Sequence, residues 1–148
     1  NGEAIKQAER AEESPREKSI LNDLPRHLPA LMYAEKAQKK AATVGFQWEN
    51  VDGAWEKLRE EIDELAEAIA AGNQDEQDHE LGDVLFVMVN IARYLGIDPE
   101  AALRRTTGKF IRRFRFIEQS AARQGQTLHE MTLSEMDKYW NEAKKTES

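Results

Sequence analysis

The chain has 148 residues, no cysteine, and 28 acidic against 21 basic side chains, a net charge of −7. That length suits one domain with its own core, and the lack of thiols excludes disulfides, thiolate catalysis and thiolate metal sites. The acidic balance argues against a nucleic-acid polymer as partner. No apolar run is long enough to span a bilayer and the start does not read as a signal peptide, so no membrane partner and a reducing cytoplasm are expected.

Residues 1–23 are polar, with Glu12-Glu13-Ser14-Pro15-Arg16-Glu17-Lys18 at their centre. They read as a flexible linker or the remnant of a preceding domain, with a helical end over Gly2 to Ala11. The first residue is Asn rather than Met, which suggests a processed or excised chain. The domain proper is expected over 24–148. Pro29 suits a first helical turn, and helix one should run from about Pro29 to Val44, carrying Leu31, Met32, Ala34 and Ala41. Gly45-Phe46-Gln47-Trp48 is a break whose two aromatics are expected to pack on the core. Asp52 is the expected N-cap of helix two, about Gly53 to Ala71. Trp55, Leu58, Ile62, Leu65 and Ile69 recur at 3,4,3,4 spacing as its core stripe, and Gly72-Asn73 ends it.

Helix three is expected over about Asp75 to Leu95. Its stretch Val84, Leu85, Phe86, Val87, Met88, Val89, Ile91, Ala92 is apolar all round, the mark of a buried helix. Asp98-Pro99 restarts the chain with an N-cap and a first-turn proline, and helix four continues to about Arg123. Thr132-Leu133-Ser134-Glu135 is a capping box that launches a last helix carrying Met136, Tyr139, Trp140 and Lys144. No strand pattern and no internal repeat are present, so the fold class is all-α.

Two acidic pairs stand out, Glu61/Glu64 and Glu80/Asp83, each at i,i+3 spacing and separated by residues 65 to 79. Residues three apart share a helix face, so each pair presents its carboxylates together. One such pair alone is ordinarily a solvated face. The second pair lies with Asn90 along a polar line on a helix expected to be buried, where unpaired carboxylates cost several kcal/mol or more. If the two helices pack antiparallel, four carboxylates converge and repel unless a cation sits among them. An all-oxygen cage suits Mg²⁺ or Mn²⁺. A carboxylate-held ion with no nearby Ser or Cys nucleophile points to metal-assisted hydrolysis of a phosphate ester or anhydride. Lys109, Arg112 and Arg113, at i, i+3 and i+4, are spaced to receive a polyphosphate.

From about Leu24 to Lys145 the chain resembles the C-terminal domain of the MazG nucleoside triphosphate pyrophosphohydrolases. The matching pieces include Leu28-Pro29-Ala30-Leu31, Lys39 through Phe46, Glu60-Glu61-Ile62-Asp63-Glu64 and Glu80-Leu81-Gly82-Asp83-Val84-Leu85-Phe86. Asn90-Ile91-Ala92-Arg93, Lys109-Phe110, Arg112-Arg113-Phe114 and Trp140-Asn141-Glu142-Ala143-Lys144 match as well. The resemblance implies Mg²⁺-dependent hydrolysis of nucleoside triphosphates between the α- and β-phosphates. It also implies an antiparallel bundle of about five helices in which homodimerisation completes the core and the site. Glu61, Glu64, Glu80 and Asp83 become the implied metal ligands, and Glu60 the residue that orients or deprotonates the attacking water. Lys109, Arg112 and Lys144 become implied phosphate contacts, with Lys39 and Arg113 beside them, and Trp140 a stacking surface for the base. Long members of the family carry two such domains in tandem, and the later one is matched here.

Two rival readings remain at this point. A carboxylate-bridged di-iron bundle would use Glu76-Gln77-Asp78-His79 as an E-x-x-H motif, but it needs two, and neither His27 nor His129 has an acidic residue three positions before it. A non-catalytic helical dimerisation module would pair the acidic line with the Arg cluster and would not respond to Mg²⁺.

Overall fold

A computed structural model describes residues 18–147, so the expected helical end over Gly2 to Ala11 lies outside the described residues. The elements in order are α1 (Ala30–Ala42), α2 (Val51–Ala71), α3 (Gln74–Tyr94), α4 (Pro99–Arg123), a 3-10 turn (Leu128–Glu130) and α5 (Leu133–Thr146). Five helices and no strand among the described residues make the fold all-α, as expected. The chain divides into two compact units between Glu100 and Ala101.

In the first unit, α2 begins two residues earlier than expected. Asn50 is the N-cap, its side-chain oxygen accepting the Asp52 N–H at 2.9 Å. Asp52 sits instead in the first turn, where its charge favours the positive end of the helix dipole. Gly72, at φ 68°, takes the left-handed conformation that closes α2. Asn73 then caps α3, accepting the Glu76 N–H at 3.1 Å. A turn this short lays α3 back antiparallel on α2. Gln77 accordingly reaches the Ala68 carbonyl at 3.3 Å, and Ala54 and Leu58 share a core with Val87 and Ile91. Helix α1 packs on α3, where the Gln38 side-chain amide donates to the Phe86 carbonyl at 2.9 Å.

Packing corrects three sequence expectations. The α2 stripe splits: Leu58 is buried, whereas Trp55, Ile62 and Ile69 stay 46 %, 49 % and 60 % exposed. Helix α3 is not buried all round, since Leu81, Leu85 and Met88 are about half exposed. The reason is geometric. A helix apolar on every side needs a neighbour on every side, and α1 and α2 cover only part of its circumference. The aromatics of the break also do not enter the core. Phe46 is 81 % exposed, and Trp48 lies over the first turn of α2.

The expected first residue of α4 and the expected capping box of α5 both occur. Pro99 opens α4, where its missing N–H breaks no helical bond. The Thr132 hydroxyl accepts the Glu135 N–H at 3.1 Å while Glu135 accepts the Thr132 N–H at 3.3 Å, completing the capping box. Within the unit Phe110 packs on Phe114 and Trp140 at ring separations of 6.1 and 5.7 Å, and the Arg113 guanidinium lies 5.1 Å over the Trp140 ring.

Candidate functional site

The antiparallel α2–α3 pair carries the acidic centre. Glu61 and Glu64, one turn apart on α2, face Glu80 of α3, and one carboxylate oxygen from each of the three lies within 4.8 Å of the others. Glu80 also belongs to a second such group with His79 and Asp83. The structure thus joins all four sequence-predicted ligands through Glu80, three in one cluster and Asp83 in the adjoining one.

The electrostatics of this cluster are uneven. Glu61 is 3 % exposed, and its Oε1 lies 3.0 Å from the Lys57 ammonium. Burial opposes the charge of Glu61, but Lys57 outweighs it and the carboxyl is held below its ordinary range. Among the described residues no lysine or arginine is recorded in an ion pair with Glu80. Burial first, then the hydrogen bond and charge of Glu64, then those of Glu61, push its pKa up to about 7. Glu61 Oε2 and Glu80 Oε2 are both shielded from solvent with no hydrogen-bond partner.

These features test the fit of a metal. The donors are carboxylate oxygens, two of them buried and unsatisfied, crowded at like charge. A hard divalent cation answers all three conditions, and Mg²⁺ and Mn²⁺ take such ligands. His79 Nε2 stands 3.3 Å from Asp83 Oδ2, exposed, as a partner to a carboxylate. Both carboxylate groups together contain one histidine, so the second half of a di-iron motif has no counterpart among the described residues.

The remaining predicted residues fall outside this cluster. Glu60 is exposed, and its Oε2 lies 3.6 Å from Lys57. Lys39 is exposed and pairs with Glu35 at 3.5 Å. Lys109, Arg112, Arg113, Trp140 and Lys144 all belong to the second unit. There Arg113 grips Glu147 with two nitrogens, the shortest bond being 2.8 Å. Arg113 holds the Glu147 carboxyl below its ordinary range against the effect of burial, with Arg112 and Lys109 adding to it. Three of the predicted cations therefore share one anion. Lys144 is exposed, and Trp140 is half-buried against Phe110 and Arg113.

Sequence reasoning missed two residues. Lys57 was legible as the i−4 partner of Glu61. Gln38, within a run of lysines, carried no signal, yet it is buried with its Oε1 unpaired. It lines a cavity of about 710 Å³ in the first unit that also reaches Lys57, Glu61 and Asp83.

Residues 51–116 match the MazG nucleotide pyrophosphohydrolase domain, a span that includes both acidic pairs. The chain is 39% identical over 133 residues to "Nucleoside triphosphate pyrophosphohydrolase/pyrophosphatase MazG" of Thermotoga maritima, covering 90% of this chain and 51% of that protein. It is 42% identical over 147 residues to "Nucleoside triphosphate pyrophosphohydrolase" of Escherichia coli K12, covering 98% of this chain and 55% of the relative. A third similar protein, "Uncharacterized protein YabN" of Bacillus subtilis, is 48% identical over 99% of this chain and 30% of its own length. The chain thus spans about half the length, or less, of the curated relatives it matches.

Proposed function

This chain belongs to the MazG family, and we propose that it hydrolyses nucleoside triphosphates between the α- and β-phosphates, releasing a nucleoside monophosphate and pyrophosphate. The observation that carries the proposal is the group of three carboxylates, Glu61, Glu64 and Glu80, with two buried oxygens that no donor satisfies. With Asp83 they would hold Mg²⁺, or Mn²⁺ in its place. When bound, that ion supplies Lewis-acid polarisation of a phosphoryl oxygen and a water acidic enough to attack at neutral pH.

The chain's own residues do the rest. Lys57 keeps Glu61 ionised and therefore ready to ligate. Glu60, exposed beside Lys57, orients the attacking water or accepts its proton. Lys109, Arg112 and Lys144 donate to phosphate oxygens, with Arg113 and Lys39 adding positive field. Trp140 already carries Arg113 and leans on Phe110, which leaves less of its face for a base than the sequence suggests.

The bare apolar stripes support a homodimer. Trp55, Ile62 and Ile69 repeat every seven residues on α2, with Leu81, Leu85 and Met88 on α3, and exposed apolar faces of this kind mark association surfaces. A second copy laid on them would complete a helical bundle. Ile62→Asp is expected to shift sedimentation from dimer to monomer; an unchanged dimer would place the interface elsewhere. Among the described residues no helix is long and apolar enough to cross a membrane, and the cytoplasm is the compartment proposed.

Ion-exchange analysis of products, with and without Mg²⁺, tests the reaction. Monophosphate plus pyrophosphate, formed only with the ion, is the expected result. Diphosphate plus orthophosphate would overturn the cleavage position, and no turnover across ribo- and deoxyribonucleotides would overturn the activity.

A further inference from the structure

We infer that His79 is a further ligand of the metal centre, on the Asp83 side of Glu80, and that its imidazole makes this chain take Mn²⁺ in preference to Mg²⁺. The inference rests on the metal-assisted hydrolysis proposed above. It goes beyond the four carboxylates by naming a nitrogen donor and the ion that suits it.

Geometry is the first support. His79, Glu80 and Asp83 each bring one donor atom within 4.8 Å of the other two. All three lie on α3, so no second element has to move to assemble them. His79 and Asp83 are four residues apart, the spacing at which two side chains meet over one helical turn and clip an ion between them. Their facing atoms, Nε2 and Oδ2, are 3.3 Å apart. Adjacent donors on an octahedral ion, each about 2.1 Å from it, stand about 3 Å from one another. The pair is therefore already set at nearly the separation that one ion imposes. The face is also open: Gly82, one turn after His79, has no side chain, and a Cβ there would meet nothing within 4 Å.

The second support is the demand at Glu80. This residue is 9 % exposed, and its Oε2 is shielded from solvent with no hydrogen-bond partner. A carboxylate in that state is costly until a cation or a donor reaches it. Glu80 belongs to both carboxylate groups, so one of its oxygens lies within 4.8 Å of the His79 donor nitrogen. A plain His–Asp contact on a helix surface accounts for the 3.3 Å separation but leaves Glu80 unanswered.

Donor chemistry then selects the ion. Mg²⁺ takes oxygen ligands and gives up its waters reluctantly, so an imidazole adds little to its binding. Neutral imidazole is the commonest protein ligand of first-row divalent ions. Mn²⁺ belongs to that row and also suits carboxylates, so it fits His79 together with Glu80 and Asp83. Among the described residues His79 is the single histidine in either group, so a nitrogen on the ion can be assigned to it.

The test uses the full chain with Mn²⁺ alone, at less than one equivalent, examined by pulsed electron paramagnetic resonance. The expected result is ¹⁴N modulation from a directly bound imidazole in the wild type. It should vanish in His79→Gln while Mn²⁺ stays bound through the carboxylates. His79 is exposed, so the variant should fold, which circular dichroism checks. Calorimetric titration gives a second readout: His79→Gln should weaken Mn²⁺ binding about tenfold or more and leave Mg²⁺ binding nearly unchanged. His79→Glu, with oxygen in place of nitrogen, should move the preference toward Mg²⁺ and show no modulation. Absent Mn²⁺ binding, wild-type Mn²⁺ without nitrogen modulation, or modulation that survives in His79→Gln would overturn the assignment. Equal losses of both ions in His79→Gln would also overturn it, leaving His79 as a residue that orients Asp83. Product analysis on the same protein keeps the two readings apart. Triphosphate cleavage by a chain whose Mn²⁺ sees no nitrogen overturns the ligand alone. Nitrogen-bound Mn²⁺ with no cleavage keeps the ligand and overturns the hydrolase.

Discussion

The carboxylates of the α2–α3 pair and the carboxylate of Glu147 are the same chemical group held in opposite ways. Glu147 is fully answered: Arg113 binds it with two nitrogens, and Arg112 and Lys109 add positive charge. Glu61, Glu64 and Glu80 crowd together with a single lysine bonded to Glu61 and two buried oxygens left over. A satisfied charge holds structure, whereas an unsatisfied one stores a demand that a ligand can meet. The contrast, in what each group lacks, is the ground for proposing the α2–α3 carboxylates as the metal ligands.

Removing a ligand should break that contrast most severely. Glu64→Gln or Asp83→Asn is expected to lower turnover by roughly 10²–10³-fold or more while circular dichroism shows unchanged helicity. Wild-type rates in either variant would remove these residues from the metal site. Supplying the missing cation comes next. Mg²⁺ at a hundredfold excess over its dissociation constant should stabilise the fold by about 2.7 kcal/mol, read as a rise in melting temperature, and Glu61→Gln should abolish the rise. An identical rise in the variant would mean that the ion binds elsewhere.

A smaller effect is expected from protons. The Glu80 pKa, raised to about 7 in the folded chain against an ordinary 4.5, means that the folded state binds the extra proton between those values. Stability of the metal-free protein should therefore be fully present below about pH 4.5 in this respect and decline as pH rises through 7. Glu80→Gln should flatten that decline, and an unchanged slope in chelator would assign it to another group. The smallest effect is expected at the satisfied pair. The depressed Glu147 pKa makes its contribution present above the ordinary carboxylate range and lost as pH falls through the lowered value. The pair is solvent-screened, so Glu147→Gln should barely move the melting temperature at neutral pH. A large loss there would show that Arg113 needs its anion to hold the second unit.

Much of this was legible beforehand because it is local. The Pro99 start, the Thr132–Glu135 capping box and the Gly72 stop depend on residues within a few positions of each other, and each occurs as read. The Asn50 cap was missed because Asn50 and Asp52 are both competent caps, and only the entry angle of the chain decides between them. The acidic pairs were legible from i,i+3 spacing, and the Lys57 ammonium beside them could have been found by the same rule. Gln38 could not, since nothing in a Lys-rich stretch marks which polar residue turns inward.

Sequence alone determined the helices, several of their ends and the two carboxylate pairs, because hydrogen bonding within a helix and the 3.6-residue repeat act over short distances. Tertiary structure decided which charges are answered. Whether Glu80 meets a cation or two other carboxylates, whether Gln38 Oε1 is paired, and which side of α3 stays bare all depend on how antiparallel helices meet. Desolvation and Coulomb forces act on that arrangement in space, and chain order does not record it.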